Sequence, residues 1–180
     1  MRLLPINPEN VKLAEDFMQE YKKKKYGKNV LGVSDEEFYV FIFQGKLGEL
    51  VFRDFLNQEK VPHECKDILK PYPGRYKREG SDFLLILTGE LVDVKTIGNH
   101  YKTRLLVRED QFKAKKHDAY VGQRLANEKQ LECWGYVTGK ELANVPPSRQ
   151  FGYGPCRHWL LKDLYPIEDF LKKAKRGERI

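Results

Sequence analysis

Several features are scarce in this 180-residue chain, and each scarcity narrows the reading. No apolar run approaches the roughly 20 residues that cross a bilayer. The opening Met1-Arg2-Leu3-Leu4-Pro5 also lacks the apolar stretch of a signal peptide. A soluble, cytoplasmic protein with no membrane partner is the expectation. Cysteine is limited to Cys65, Cys133 and Cys156, an odd count at wide spacing, which argues against a disulfide framework and suits reduced thiols. No repeat, low-complexity tract or Gly/Ser-rich linker divides the chain, so 1–180 reads as one domain with its core over about 45–137. At 41% hydrophobic residues it can bury one sizeable core. No glycine-rich phosphate loop and no Ser/His/Asp or Cys/His arrangement stands out.

Acidic residues are outnumbered, 26 against 33 basic ones, for a net charge of +7 and a pI near 9.2. Such a surface attracts polyanions, with nucleic acid the first partner to consider. The same charge also serves solubility in an ordinary basic globular protein.

The apolar residues place the elements. Asn7 as cap, Pro8 in the first turn, and Val11, Ala14, Phe17, Met18 and Tyr21 on one face predict a helix from Pro8 to Lys24. It ends in the lysine run Lys22 to Lys25, which suits a helix C-terminus. Ser34 with Glu37 is a capping-box pair that opens an apolar stretch interrupted at Gly45 and Gly48. Leu47, Leu50, Val51 and Phe55 recur at helical spacing, with Glu49 and Arg53 four apart on a neighbouring stripe. Residues 71–80 are rich in proline and glycine and read as a loop. Phe83 to Leu87 and Leu91 to Ile97 then read as a hairpin of two buried strands around Thr88-Gly89-Glu90. A third strand is expected over Tyr101 to Val107, a short helix over Glu109 to His117, strands over Ala119 to Leu125 and Leu131 to Val137, and a last helix over Pro166 to Lys175.

The hairpin carries the chemistry. Side chains alternate along a strand, so Asp93-Val94-Lys95 puts an acid and an amine on one face and Val94 on the other. Charges in an apolar strand need pairing, hydration or a metal, because burying them bare is costly. Asp82 begins the preceding strand, and a short antiparallel turn brings it alongside Asp93. Two converging carboxylates suit a hard divalent cation, Mg2+ or Mn2+, with the Val94 carbonyl as a further oxygen donor. Such a cation activates water and polarises a phosphoryl oxygen, while Lys95 orients the water or neutralises the developing phosphorane. Glu49 supplies a further carboxylate. Competing readings are a turn cap at Asp82, an edge-strand ion pair for Asp93 and Lys95, and a surface pair of Glu49 with Arg53.

Gly48-Glu49 on an early helix, Ser81-Asp82 before a strand, and Asp93-Val94-Lys95 in the next strand resemble the restriction-endonuclease-like, or PD-(D/E)xK, nuclease superfamily. Ser81 stands where that pattern has proline. The resemblance implies an α/β fold with a central mixed β-sheet flanked by helices. A helix would precede three strands, followed by another helix and strand. It implies catalytic and metal positions at Asp82, Asp93 and Lys95, with Glu49 as the helical acid, and it places Gln111 among the nucleic-acid contacts. The expected function is Mg2+-dependent hydrolysis of DNA phosphodiesters. The alternative is a non-catalytic nucleic-acid-binding module of the same fold.

Arg75, Lys77 and Arg78 around Tyr76 combine phosphate donors with a ring able to stack on a base, against the reading of a solvated loop. Lys113, Lys115 and Lys116 follow Gln111 and are placed to grip a nucleic-acid backbone, or simply to solvate a helix face. A homodimer would suit cutting both strands. His63-x-Cys65 and Cys156-x-His158 carry zinc-type donors, but at a one-residue spacing unusual for that metal. Isolated core thiols and surface histidines are the competing reading.

Overall fold

The computed structural model describes residues 1–23, 34–70, 81–97, 103–150 and 154–180. Arg75, Lys77, Arg78 and Tyr101, named above, lie outside the described residues, as do Lys24 and Lys25.

Helix α1 (Pro8–Lys23) starts where Asn7 Oδ1 accepts from the Glu9 amide at 3.0 Å, and Ala14 and Phe17 form its buried stripe. Helix α2 (Asp35–Gln58) opens on the capping box: the Glu37 amide donates to Ser34 Oγ, and the Ser34 amide donates back to the Glu37 carboxylate. This satisfies two of the four amides left open at a helix start. The expected interruption does not occur. Gly45 and Gly48 both sit inside one continuous 24-residue helix, which its buried face (Leu47, Leu50, Val51, Phe52, Phe55, Leu56) holds together.

Gly48 has a separate purpose. A Cβ there would stand 1.7 Å from Thr96 Oγ1 and 3.1 Å from Gln123 Oε1, so glycine is what lets α2 lie directly on the sheet.

That sheet has six strands in the order β1-β7-β6-β4-β3-β2. They are β1 (Arg2–Pro5), β2 (His63–Glu64), β3 (Phe83–Leu85), β4 (Leu91–Ile97), β6 (Ala119–Asn127) and β7 (Gln130–Thr138). Among the described residues β4 and β6 pair in parallel, and the other pairs of this sheet are antiparallel. The hairpin forms as expected but shorter. β3 ends at Leu85, and Ile86 and Leu87 are left exposed in a turn whose Gly89 takes φ 70° and donates to the Leu85 carbonyl.

Strand β5 (Arg104–Arg108) does not join the main sheet. It pairs with β8 (Cys156–Leu160) in a separate two-stranded ribbon. Helix α3 (Glu109–Ala114), α4 (Gly139–Ala143) and α5 (Ile167–Arg176) complete the described helices, with a 3-10 turn at Leu161–Asp163. The three cysteines are free, with Cys133 and Cys156 buried. No described helix is long and apolar enough to cross a membrane.

The sheet separates two apolar clusters. On one side, α1, α2 and α5 pack an aromatic-rich core, with Phe52 against Phe83 at 5.3 Å and Phe170 at 6.1 Å. On the other, a smaller cluster gathers Ile97, Leu105, Val107, Phe112, Tyr120, Leu142, Leu161 and Leu164 beneath the ribbon and α3.

Candidate active site

The β3–β4 pairing ends with Phe83 opposite Val92, and Asp82, the residue before β3, reaches β4 through its carboxylate. Val92 and Val94 belong to the aromatic-rich core and Thr96 lies under Gly48, so the alternating residues Asp93, Lys95 and Ile97 face the other side. The carboxylates of Asp82 and Asp93 are both nearly sealed, at 3% and 5% exposure.

Their partners are specific. The Val94 amide donates to Asp82 Oδ2 at 2.8 Å, and Lys95 Nζ donates to Asp93 Oδ2 at 2.7 Å. Leu85 donates to the Glu90 carbonyl, which sets the edges of β4: the amides and carbonyls of Glu90, Val92 and Val94 point toward β3. Leu91, pointing the other way, exchanges bonds with Asp118 at the start of β6. Because β3 begins only at Phe83, Asp82 completes the ladder with its side chain, and the Val94 carbonyl looks into the space where a further strand residue would stand.

The donor set is therefore two carboxylates and one main-chain carbonyl on adjoining strands. All are hard oxygen donors of the kind Mg2+ and Mn2+ take, with water filling the remaining positions, and in that chemistry the residues fit such an ion.

Glu49 is placed differently. It comes from α2, on the sheet side opposite Asp93, is 7% exposed, and pairs with Lys46 at 2.5 Å. Lys46 is itself 4% exposed, donates to the Ile68 carbonyl, and sits 4.5 Å over the Phe17 ring. Arg53 turns to Asp54 and to Asn10 Oδ1. Among the described residues no three His, Cys, Asp or Glu side chains stand together as a metal-holding group, so Glu49 does not form a trio with Asp82 and Asp93. His63 and Cys65 lie in and just after β2, whereas Cys156 and His158 lie on β8 in the other sheet.

Tyr120 is a neighbour that sequence reasoning missed. It pairs in parallel register with Asp93, is almost wholly buried, and packs against Phe112 of α3 and the His117 ring. Burial, and after it the charge of Asp93, pushes its phenol well above the usual range, so it stays protonated. The contact also shows that α3 borders the same sheet face as Asp93. Gln111 is exposed on α3, and Lys113, 74% exposed at its side chain, reaches back to Glu109 at 3.4 Å. Lys115 is half-buried and Lys116 exposed on the segment leading to β6.

Lys46 had a visible signal, a lysine three residues before a helical acid. Tyr120 had none, because nothing local marks a parallel partner 27 positions away. No family model, curated protein or solved structure matches the chain.

Proposed function

We propose that the chain is a metal-dependent nuclease that hydrolyses DNA phosphodiester bonds, with a restriction-endonuclease-like core. The observation that carries this reading is that Asp93, ion-paired to Lys95, and Asp82, bonded to the neighbouring Val94 amide, are both nearly sealed carboxylates at the β3–β4 hairpin. The element order adds support: α2, the antiparallel strands β2, β3 and β4, then α3, and β6 lying parallel to β4. A net charge of +7 suits a polyanionic substrate.

Asp82, Asp93 and the Val94 carbonyl would hold the divalent ion. When bound, Mg2+ supplies an activated water and charge neutralisation at phosphorus. Lys95, beside Asp93, would place its ammonium on the phosphate and orient the attacking water. Gln111, Lys113, Lys115 and Lys116 flank this face and, with Arg75, Lys77 and Arg78, grip the backbone. A pair of chains related by a twofold axis would cut both strands of a duplex.

The test is incubation with circular, linear and branched DNA, in Mg2+ or chelator, alongside Asp93→Ala and Lys95→Ala. Cutting is expected only with metal, and not by either variant. Cutting that survives the chelator or both substitutions rejects the mechanism.

A second reading, a non-catalytic nucleic-acid-binding module, draws on one specific observation: Asp93 and Glu49 already carry lysine partners, as a site retired from metal binding would. Calorimetry separates the two. Absence of Mg2+ uptake with DNA affinity intact favours the second.

A further inference from the structure

Three polar atoms lie sealed between α2 and the sheet without a hydrogen bond among the described residues: Thr96 Oγ1 and both amide atoms of Gln123, Oε1 and Nε2. Gln123 is wholly buried, at 0% exposure, so bulk water does not reach it. The two residues are partners in the parallel β4–β6 register, and their side chains stand side by side on one face of the sheet. That face is the one α2 covers. A Cβ on Gly48 would come within 1.7 Å of Thr96 Oγ1 and 3.1 Å of Gln123 Oε1. Both oxygens therefore flank one point beside the helix, no more than about 4.8 Å apart, the sum of those two distances and within the reach of a single bridging oxygen.

Donors and acceptors do not balance within this group. A glutamine amide has two N–H donors at one end and an accepting oxygen at the other, whereas a threonine hydroxyl has one proton to give and one atom with which to accept. One hydroxyl meets one end of the amide at a time in good geometry. A rotation that lets Thr96 donate to Oε1 leaves Nε2 unmet, and one that lets Nε2 donate to Oγ1 leaves Oε1 unmet. Cys133, opposite Gln123 in the β6–β7 register, is a further neighbour. Burial pushes its thiol up to about 12 despite the nearby amide, so it stays a neutral S–H, a weak donor and a weak acceptor. Leaving a buried amide end unbonded is costly, and buried polar atoms in folded proteins are nearly always met by protein or by an internal water.

We infer that this seam between α2 and the sheet is a binding site for one internal water molecule, held by Thr96 Oγ1 and the Gln123 amide. The lining selects that ligand. A hydroxyl, an amide and a neutral thiol carry no net charge to attract an ion, while water donates and accepts and so meets the amide end that Thr96 leaves. Buried waters typically make about three hydrogen bonds, and the three orphan atoms supply that number. The bare Cα of Gly48 keeps the two oxygens clear of a methyl group. The water ties α2 to β4 one residue past Lys95, as a polar contact within an otherwise apolar wall. This site goes beyond the nuclease reading and holds whether or not the protein cuts DNA.

The experiment pairs a high-resolution crystal structure of the full chain with oxygen-17 relaxation dispersion, which counts long-lived waters in solution, so that water itself is the probe. Density should show one water within hydrogen-bond distance of Thr96 Oγ1 and of a Gln123 amide atom. Gln123→Met keeps the reach of the side chain and removes both amide atoms, so the dispersion should fall by the share of one long-lived water. Thr96→Val, close in volume but without the hydroxyl, should show the same loss, and Thr96→Ser should retain the water. A cooperative melt identifies the variants that fold, and Thr96→Val carries the test where Gln123→Met does not fold. A structure in which protein atoms alone bond both ends of the Gln123 amide overturns the proposal. So does a dispersion amplitude unchanged in either folded variant.

Discussion

The two faces of the six-stranded sheet differ in kind. One is a closed wall of Leu50, Phe52, Phe55, Phe83, Val92, Val94 and Phe170, where α2 and α5 exclude water from nearly every contact. The other begins as a smaller apolar cluster and becomes charged within a few ångströms, carrying Asp93 and Lys95 at its margin. Strand β4 belongs to both: Val92, Val94 and Thr96 serve the wall, and Asp93 and Lys95 serve the margin. Stability and chemistry are thereby divided between alternate residues of one strand, so substitutions one position apart should fail in different assays.

The largest effects should expose that division most sharply. Phe52→Ala, on the wall, should lower unfolding free energy by about 3–5 kcal/mol in urea titration. Asp93→Asn, an isosteric change that keeps an acceptor for Lys95, should cost less than that, about 1–3 kcal/mol, and lower metal-dependent cutting on the order of a hundred- to thousandfold. A large stability loss in Asp93→Asn would erase the contrast.

Lys46→Met probes a buried ion pair on the wall. It strands the Glu49 carboxylate, at an expected cost of about 3 kcal/mol or more, and Lys46→Met combined with Glu49→Leu should recover most of it. A double variant no better than the single would mean the pair does not act as a unit. Gly48→Ala should cost roughly 1–3 kcal/mol, because Thr96 Oγ1 must retreat from the new methyl group. An unchanged melting temperature would show that α2 can lift off the sheet freely.

The smallest effect belongs to the margin. Arg157 donates to Glu109 at 2.7 and 3.1 Å and holds its carboxyl below the ordinary value near 4.5. A carboxylate so lowered contributes stability that is complete above that value and drains as pH falls through the lowered one. Melting temperature should therefore drop more steeply below about pH 4.5 in the parent than in Glu109→Gln. Parallel curves would count against the pair.

What could be read in advance was local. The caps of α1 and α2 are short-range signals, and the β3–β4 hairpin shows itself through two apolar runs around a glycine. Period-two alternation was enough to put Asp93 and Lys95 on one face, where they form an ion pair. The unread parts depend on distance along the chain. β2 is two residues, His63–Glu64, whose extended form is set by β3. The third strand's place in a separate ribbon is not legible locally, because its partner, β8, lies about fifty residues later and carries no pattern pointing back. The choice of Glu49 between Arg53 and Lys46 is made by which side of α2 the sheet covers, and a helical stripe cannot report that. Arg75, Lys77 and Arg78 fall outside the described residues.

The Asp82 carboxylate that caps the β3–β4 ladder has a practical consequence for genetics. An inactive Asp82 mutant recovered in a screen would be ambiguous, since its defect could come from a loosened hairpin as readily as from lost chemistry. Asp93, whose amide and carbonyl face β6, is the cleaner position at which to silence the protein.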